Sequence, residues 1–188
     1  RGPHWQDGNL EMRDVCSKAV TALQAQGAEV GEIAHPDIFS VLTHAHITVM
    51  GYETARTRAI EYYQYPEAIS AQFAALIRAG QKTDEHAYQR ALQTRERANI
   101  HLNALMGDLD ALMVPSAPGA APHGLDATGD PLYSRMWNLL QVPTVALPYG
   151  RTKIGLPLGI QMIARRGDDA HLIDVARWAE GAFTSHPF

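Results

Sequence analysis

Nucleophilic hydrolysis needs a Ser, Cys or Thr on an exposed turn with a base held beside it, and the residues able to fill those roles are thinly spread along this 188-residue chain. There is no G-x-S-x-G elbow. Ser116, directly after the run Ala111-Leu-Met-Val-Pro115, is the serine that stands at the end of an expected strand, where a nucleophile is commonly presented. Ser17 and Lys18 are adjacent, but neighbours on a helix lie about 100° apart, so the ammonium does not readily reach the hydroxyl. Cys16, the only cysteine, has no basic residue in local reach and reads as a buried structural thiol. Read alone, the chain lacks a convincing nucleophile.

Phosphate and metal chemistry fare no better. Neither G-x-G-x-x-G nor G-x-x-x-x-G-K-[ST] occurs, so the usual nucleotide cradles are excluded. His44 and His46 form an H-x-H, yet on a helix residues two apart diverge by about 200° and cannot share an ion. Two other features carry more. Arg95 falls inside an apolar stripe of Tyr88, Ala91, Leu92, Ala98 and Leu102, where a guanidinium needs an anionic partner or a wet cavity; a snorkelling or salt-bridged structural Arg fits the same pattern. Tyr133 and Trp137, one helical turn apart, can wall an apolar pocket or form a core aromatic pair.

The elements that must position these residues belong to an ordinary globular chain. Hydrophobic residues make up 46% and charged residues 19%, which excludes disordered and fibrous classes. Prolines cut every apolar run well short of the roughly 18 residues of a membrane span. Net charge is −4 with scattered basic residues, so neither nucleic acid nor a membrane surface is an expected partner. A single cysteine fits a reducing compartment, and a cytoplasmic location is expected. The start, Arg1-Gly-Pro-His-Trp-Gln-Asp-Gly8, has neither Met nor a signal-peptide core, and is expected to lie inside a longer reading frame.

Periodicity predicts a helix over 9–26 stopped by Gly27, and a short strand over 28–34. A long helix follows from Asp37 to about Tyr65, then one from Pro66 to Ala79 stopped by Gly80, and one capped by Thr83 or Asp84 reaching about Leu109. The run 111–114 reads as a strand buried on both faces. A Pro/Gly-rich loop over 116–130 leads to a helix from Pro131 to about Leu140. Strands over 143–147 and 158–163 and a helix beginning at Asp168 and Asp169 complete an α/β alternation.

The segments Asp110-Ala-Leu-Met-Val-Pro-Ser-Ala-Pro-Gly-Ala-Ala-Pro122, Thr128-Gly-Asp-Pro-Leu-Tyr-Ser-Arg-Met-Trp-Asn138, Val142-Pro-Thr-Val-Ala-Leu-Pro-Tyr-Gly150 and Gly155-Leu-Pro-Leu-Gly-Ile-Gln-Met-Ile163, in that order, resemble the C-terminal part of amidase signature enzymes. Gly27-Ala-Glu-Val30 and the Tyr88, Ala91, Arg95 helix agree, so the resemblance covers nearly the whole chain. It implies an α/β fold, helices packed on a mixed β-sheet that is incomplete in this chain. Residues 1–188 are then the C-terminal segment of a single amidase domain, 1–110 mainly helical with one short strand and 111–188 sheet-forming. It also implies hydrolysis of a carboxylic amide C–N bond through a Ser–cis-Ser–Lys triad, with backbone N–H groups stabilising the oxyanion.

The triad's Lys and its Gly/Ser-rich signature precede the matched region; the chain's lysines are Lys18, Lys82 and Lys153, and no Gly-Ser-Ser-Gly-Gly run occurs. No catalytic residue is therefore expected in this chain, which alone is expected to be inactive. Arg95 matches a position that in the amidotransferase relatives of the family helps hold the substrate's carboxylate, and with Tyr133 and Trp137 it forms the expected substrate-binding set. Gln141 departs from the family pattern, where many members have Gly before the Val-Pro strand. The family chemistry needs only side chains and water, so no cofactor or metal is expected. Expected partners are a small-molecule amide, the N-terminal half of the same enzyme and a second copy in a homo-oligomer. Competing readings are a self-standing amidase-like protein that binds without turnover, a glutamine amidase of the amidotransferase type, and an unrelated hydrolase using Ser116.

Overall fold

The computed structural model describes residues 2–186. Helix α1 (Leu10–Ala25) starts where the Asn9 side chain accepts a hydrogen bond from the Met12 N–H at 2.8 Å, satisfying one of the unpaired first-turn donors. It ends before Gly27, whose φ of 93° lies in the left-handed region open to glycine. Met12, Val15, Cys16, Ala19 and Leu23 are buried along one stripe.

Residues 28–34 correct the expected strand: they form no ladder and take no regular structure. Period-two alternation only marks a segment that could pair; here the segment is held by Ala28 N–H to the Leu23 carbonyl at 3.1 Å and Gln24 Nε2 to the Val30 carbonyl at 3.4 Å. The long helix expected over 37–65 is also interrupted. A 3-10 turn (Asp37–Val41) leads into α2 (Leu42–Thr57), and Arg58, at φ −112° and ψ 20°, breaks the chain before α3 (Ala59–Gln64). Pro66–Ala68 is only a 3-10 turn, and the next helix, α4 (Ala71–Gln81), starts at Ser70, whose side chain accepts from the Phe73 N–H at 3.2 Å. Ser70 supplies the missing acceptor that Pro66 cannot.

Helix α4 runs through Gly80 rather than stopping there. A Cβ at Gly80 would overlap the Gly51 carbonyl of α2, so this glycine permits close helix approach and is not a cap. Helix α5 (Glu85–Met106) is capped by Asp84, which accepts from the Ala87 N–H at 2.7 Å, and closes on Gly107 at φ 41°.

Strand β1 (Leu112–Pro115), helix α6 (Leu132–Leu140), strands β2 (Thr144–Arg151) and β3 (Pro157–Ile163) and helix α7 (Asp169–Ser185) follow. The sheet order is β1-β3-β2, and both pairings are antiparallel, Leu112 opposite Ile163 and Thr144 opposite the same residue. The α/β architecture is as expected, while the pairing within these three strands is antiparallel and not mixed. Strand β2 continues past Pro148 with an irregularity between Pro148 and Gly150. Strand β1 is half-buried and not covered on both faces, because it lies at the end of the sheet.

Strand β3 separates two cores. Leu158, Ile160 and Met162 pack with α1, α7, Leu147 and Tyr149, whereas Ile163 joins Phe39, Leu42, Leu102, Met136 and Trp137. Adjacent residues of a strand face opposite sides, and this parity lets one strand organise both layers.

Candidate functional site

Helix α6 carries the two aromatic residues singled out in the sequence. Tyr133 is 7% exposed and Trp137 2%, so both belong to the interior while still bordering space. With Gly2–Trp5, Val114, Pro115, Leu132 and Met136 they line a cavity of about 20 Å³. Trp137 and Met136 also border a much larger cleft of about 1270 Å³, which reaches α1, residues 27–33, β1 and α7.

Their partners fix them. The Tyr133 hydroxyl donates to the His4 carbonyl at 2.7 Å, and burial raises its pKa above the ordinary tyrosine value. The Trp137 ring meets Phe39 edge-on, with centroids 6.4 Å apart and an interplanar angle of 88°, the arrangement that opposes ring edge to ring face. Trp137 Nε1–H is buried and has no hydrogen-bond partner in the structure. Both alternatives for this pair are therefore realised together: core packing on one side, a cavity wall on the other.

Arg95 lines neither of these cavities. Its Nε and Nη2 donate to Glu96 Oε1 at 2.9 and 2.8 Å, with its side chain only 20% exposed. The anionic partner demanded by its place in an apolar stripe is thus the next residue of the same helix. Near it on the α2–α5 seam lies a cluster that periodicity alone did not mark. Tyr52 and Tyr88 stack at 4.1 Å. Tyr52 donates to Glu85, Tyr88 donates to Glu53 Oε1 at 2.8 Å, and the Arg56 guanidinium sits 3.1 Å from the Tyr52 ring centroid. Tyr88 and Tyr52 have pKa values raised chiefly by these carboxylate hydrogen bonds. The signal in the sequence was tyrosines and acids together on two helices, legible only once the helices are paired.

His44 is exposed and His46 half-buried, as the helical divergence requires. Burial first, then the Arg135 charge, lower the His46 pKa, with a hydrogen bond to Asn138 opposing; its Nδ1 is unpartnered.

The nucleophile candidates are occupied elsewhere. Ser116 Oγ donates to the Gly159 carbonyl at 2.8 Å, an acceptor with no capacity to take its proton as a base. Ser17 Oγ donates to the Arg13 carbonyl at 3.0 Å, and Lys18 pairs with Asp14 at 3.0 Å. Burial pushes the Cys16 thiol up to about 12, far from a reactive thiolate. Gln141 adopts the left-handed conformation at φ 57°, the geometry a glycine would take, and its side chain accepts from Arg166 Nη2 at 2.7 Å.

Among the described residues, then, the structure presents apolar walls and a large cleft, with no hydroxyl or thiol held against a base. The Amidase family model matches residues 1–173, and the chain belongs to the amidase family. It is 24% identical over 203 residues to the A chain of the mitochondrial glutamyl-tRNA(Gln) amidotransferase of Macaca fascicularis, a match covering 90% of this chain and 38% of that protein. A solved amidase is 27% identical with a TM-score of 0.82, covering 93% of this chain and 42% of the other. A solved 6-aminohexanoate cyclic dimer hydrolase shares the fold at 20% identity and a TM-score of 0.75, covering 93% of this chain and 42% of the other. The chain spans less than half the length of these relatives. No helix among the described residues is long and apolar enough to cross a membrane.

Proposed function

We propose that this chain is the C-terminal segment of a single amidase domain that cleaves a carboxylic amide C–N bond with a Ser–cis-Ser–Lys triad contributed by the part of the domain preceding it. The observation that carries this is the pairing of a family match over residues 1–173 with the engagement of Ser116, Ser17 and Cys16 away from any base. In this reading the seryl oxygen attacks the amide carbon, the amine leaves with a proton, and water releases the acid from the acyl-enzyme. This chain supplies the wall: Tyr133 and Trp137 present a fixed apolar surface to the substrate, and Arg95 supplies the cation at the pocket's far side. The chemistry uses no cofactor, and the single cysteine favours a reducing, cytoplasmic setting.

The test compares amide hydrolysis by the polypeptide encoded in full with hydrolysis by the 188-residue chain. Turnover by the former and none by the latter is expected. Turnover by the short chain would overturn the reading, and binding of amides by the full polypeptide without turnover would replace it with the non-catalytic one.

The similarity to a glutamyl-tRNA(Gln) amidotransferase chain favours a second reading, a substrate that carries its own carboxylate, such as glutamine. Arg95→Ala in the full polypeptide distinguishes the two. A rise in KM for glutamine of about tenfold or more, the scale of a lost charge-assisted hydrogen bond, with no change for a neutral amide, marks the amidotransferase-like enzyme. Equal effects on both mark a general amidase in which Arg95 braces the pocket.

A further inference from the structure

The two edges of the sheet are built differently. Strand β2 carries Pro148, a register irregularity beside it and a charged Arg151 at its end, the devices with which proteins blunt an edge against further pairing. Strand β1, Leu112-Met-Val-Pro115, has no charge and no bulge; its proline stands at its last position.

Which of its backbone groups are open follows from the register. The Ser116 N–H donates to the Gly159 carbonyl at 3.2 Å, making that pair a hydrogen-bonded one. In an antiparallel ladder such pairs alternate, so Val114 with Gln161 and Leu112 with Ile163 share the bonds to β3. Met113 N–H, Met113 C=O and Pro115 C=O therefore aim away from β3, and among the described residues no strand lies on that side. Residues 111–115 instead border the cleft of about 1270 Å³, larger than the roughly 300–1,000 Å³ of small-molecule sites. Glu29, Glu32, Asp108, Asp110 and Asp174 line it, and among the described residues no Lys or Arg does.

We propose that an apolar β-strand with a basic flank, contributed by the part of the amidase domain that this chain does not contain, enters the cleft and pairs with the open edge of β1 through Met113. This rests on the proposed function, in which that part exists. Three observations choose this occupant. Relatives are more than twice as long as the matched region; the open edge lacks the blunting seen on β2; and a carboxylate-lined cleft complements a cationic segment.

The experiment is hydrogen exchange at the Met113 amide, followed by mass spectrometry in the 188-residue chain and in the polypeptide extended upstream in its own reading frame, with amide hydrolysis measured on the same samples. Pairing slows exchange in the extended polypeptide by about 100-fold or more, since the amide then opens only with the sheet. Equal exchange rates in both, alongside hydrolysis, overturn the strand and leave the proposed function standing. Slowed exchange without hydrolysis keeps the strand and overturns the function. Concentration-dependent slowing in the short chain alone shows a second copy on this edge and overturns the assignment of the occupant. A reading frame that opens at residue 1 overturns both.

Discussion

The Tyr133 hydroxyl reaches across the fold to the His4 carbonyl, 129 positions away in sequence and 2.7 Å away in space. This bond pins the segment before α1 to the α6 wall, and His4 is itself held through Nε2 to Thr43 Oγ1 of α2 at 2.9 Å.

Tyr133→Phe keeps the ring and removes the donor, leaving the His4 carbonyl unpaired. The expected loss is about 1 kcal/mol, read as a lower urea midpoint at unchanged slope. Faster proteolysis within residues 2–9 accompanies it. No change in either would show that the hydroxyl anchors nothing.

Gly51 and Gly80 face one another but are not equivalent. A Cβ on Gly51 meets Gly80 Cα at 3.5 Å, an ordinary contact, whereas one on Gly80 would overlap the Gly51 carbonyl. Gly80→Ala is expected to destabilise by about 1–3 kcal/mol through forced separation of α2 and α4. Gly51→Ala is expected to be neutral or stabilising by up to about 1 kcal/mol, because alanine favours helix. Thermal unfolding of both variants checks the asymmetry, and equal effects would refute it.

His46 has a folded pKa below its ordinary value of 6.5, first through burial and then through Arg135. The unfolded chain therefore binds the proton more tightly. Its contribution to stability is intact above 6.5 and is lost as pH falls below it. His46→Gln should flatten the acid limb of stability against pH, measured by urea unfolding between about pH 5 and pH 7.5. A parallel curve would remove His46 from that limb.

Cys16 behaves oppositely. Its thiol is raised from 9.0 to about 12 by burial, so the folded state holds the proton more tightly and stability falls as pH rises from 9.0 towards 12. Cys16→Ala should remove that part of the alkaline slope while leaving a small cavity. At about pH 8, an aromatic disulfide reagent should label Cys16 only as fast as the chain opens. Immediate labelling of the folded chain would contradict its burial.

Much of this architecture was written locally. Asp84 before the 85–106 stripe, Gly27 after α1, and the alternation Leu158, Ile160, Met162 each act within a few residues, and each element appeared where those signals put it. Where the outcome depended on distant partners, local pattern failed. Residues 28–34 had strand alternation without a neighbour, a helix broke at Arg58 where no Pro or Gly stands, and Gly80 served Gly51 rather than a helix end. The site divides in the same way. Tyr133 and Trp137 were legible as a pair one turn apart, but Phe39, His4 and the cleft that give them their surroundings come from other elements.

Strand β3 is the middle of the sheet and the last of its strands to be made. During synthesis, at roughly 5–20 residues per second, β1 and β2 leave the ribosome with no strand to bond to and wait seconds for Pro157–Ile163. A nascent chain interrupted before residue 157 has no sheet at all, and its apolar Leu112-Met-Val run is the natural target for a chaperone. Expression from a slowed message should therefore lower soluble yield most when the pause falls between residues 116 and 156.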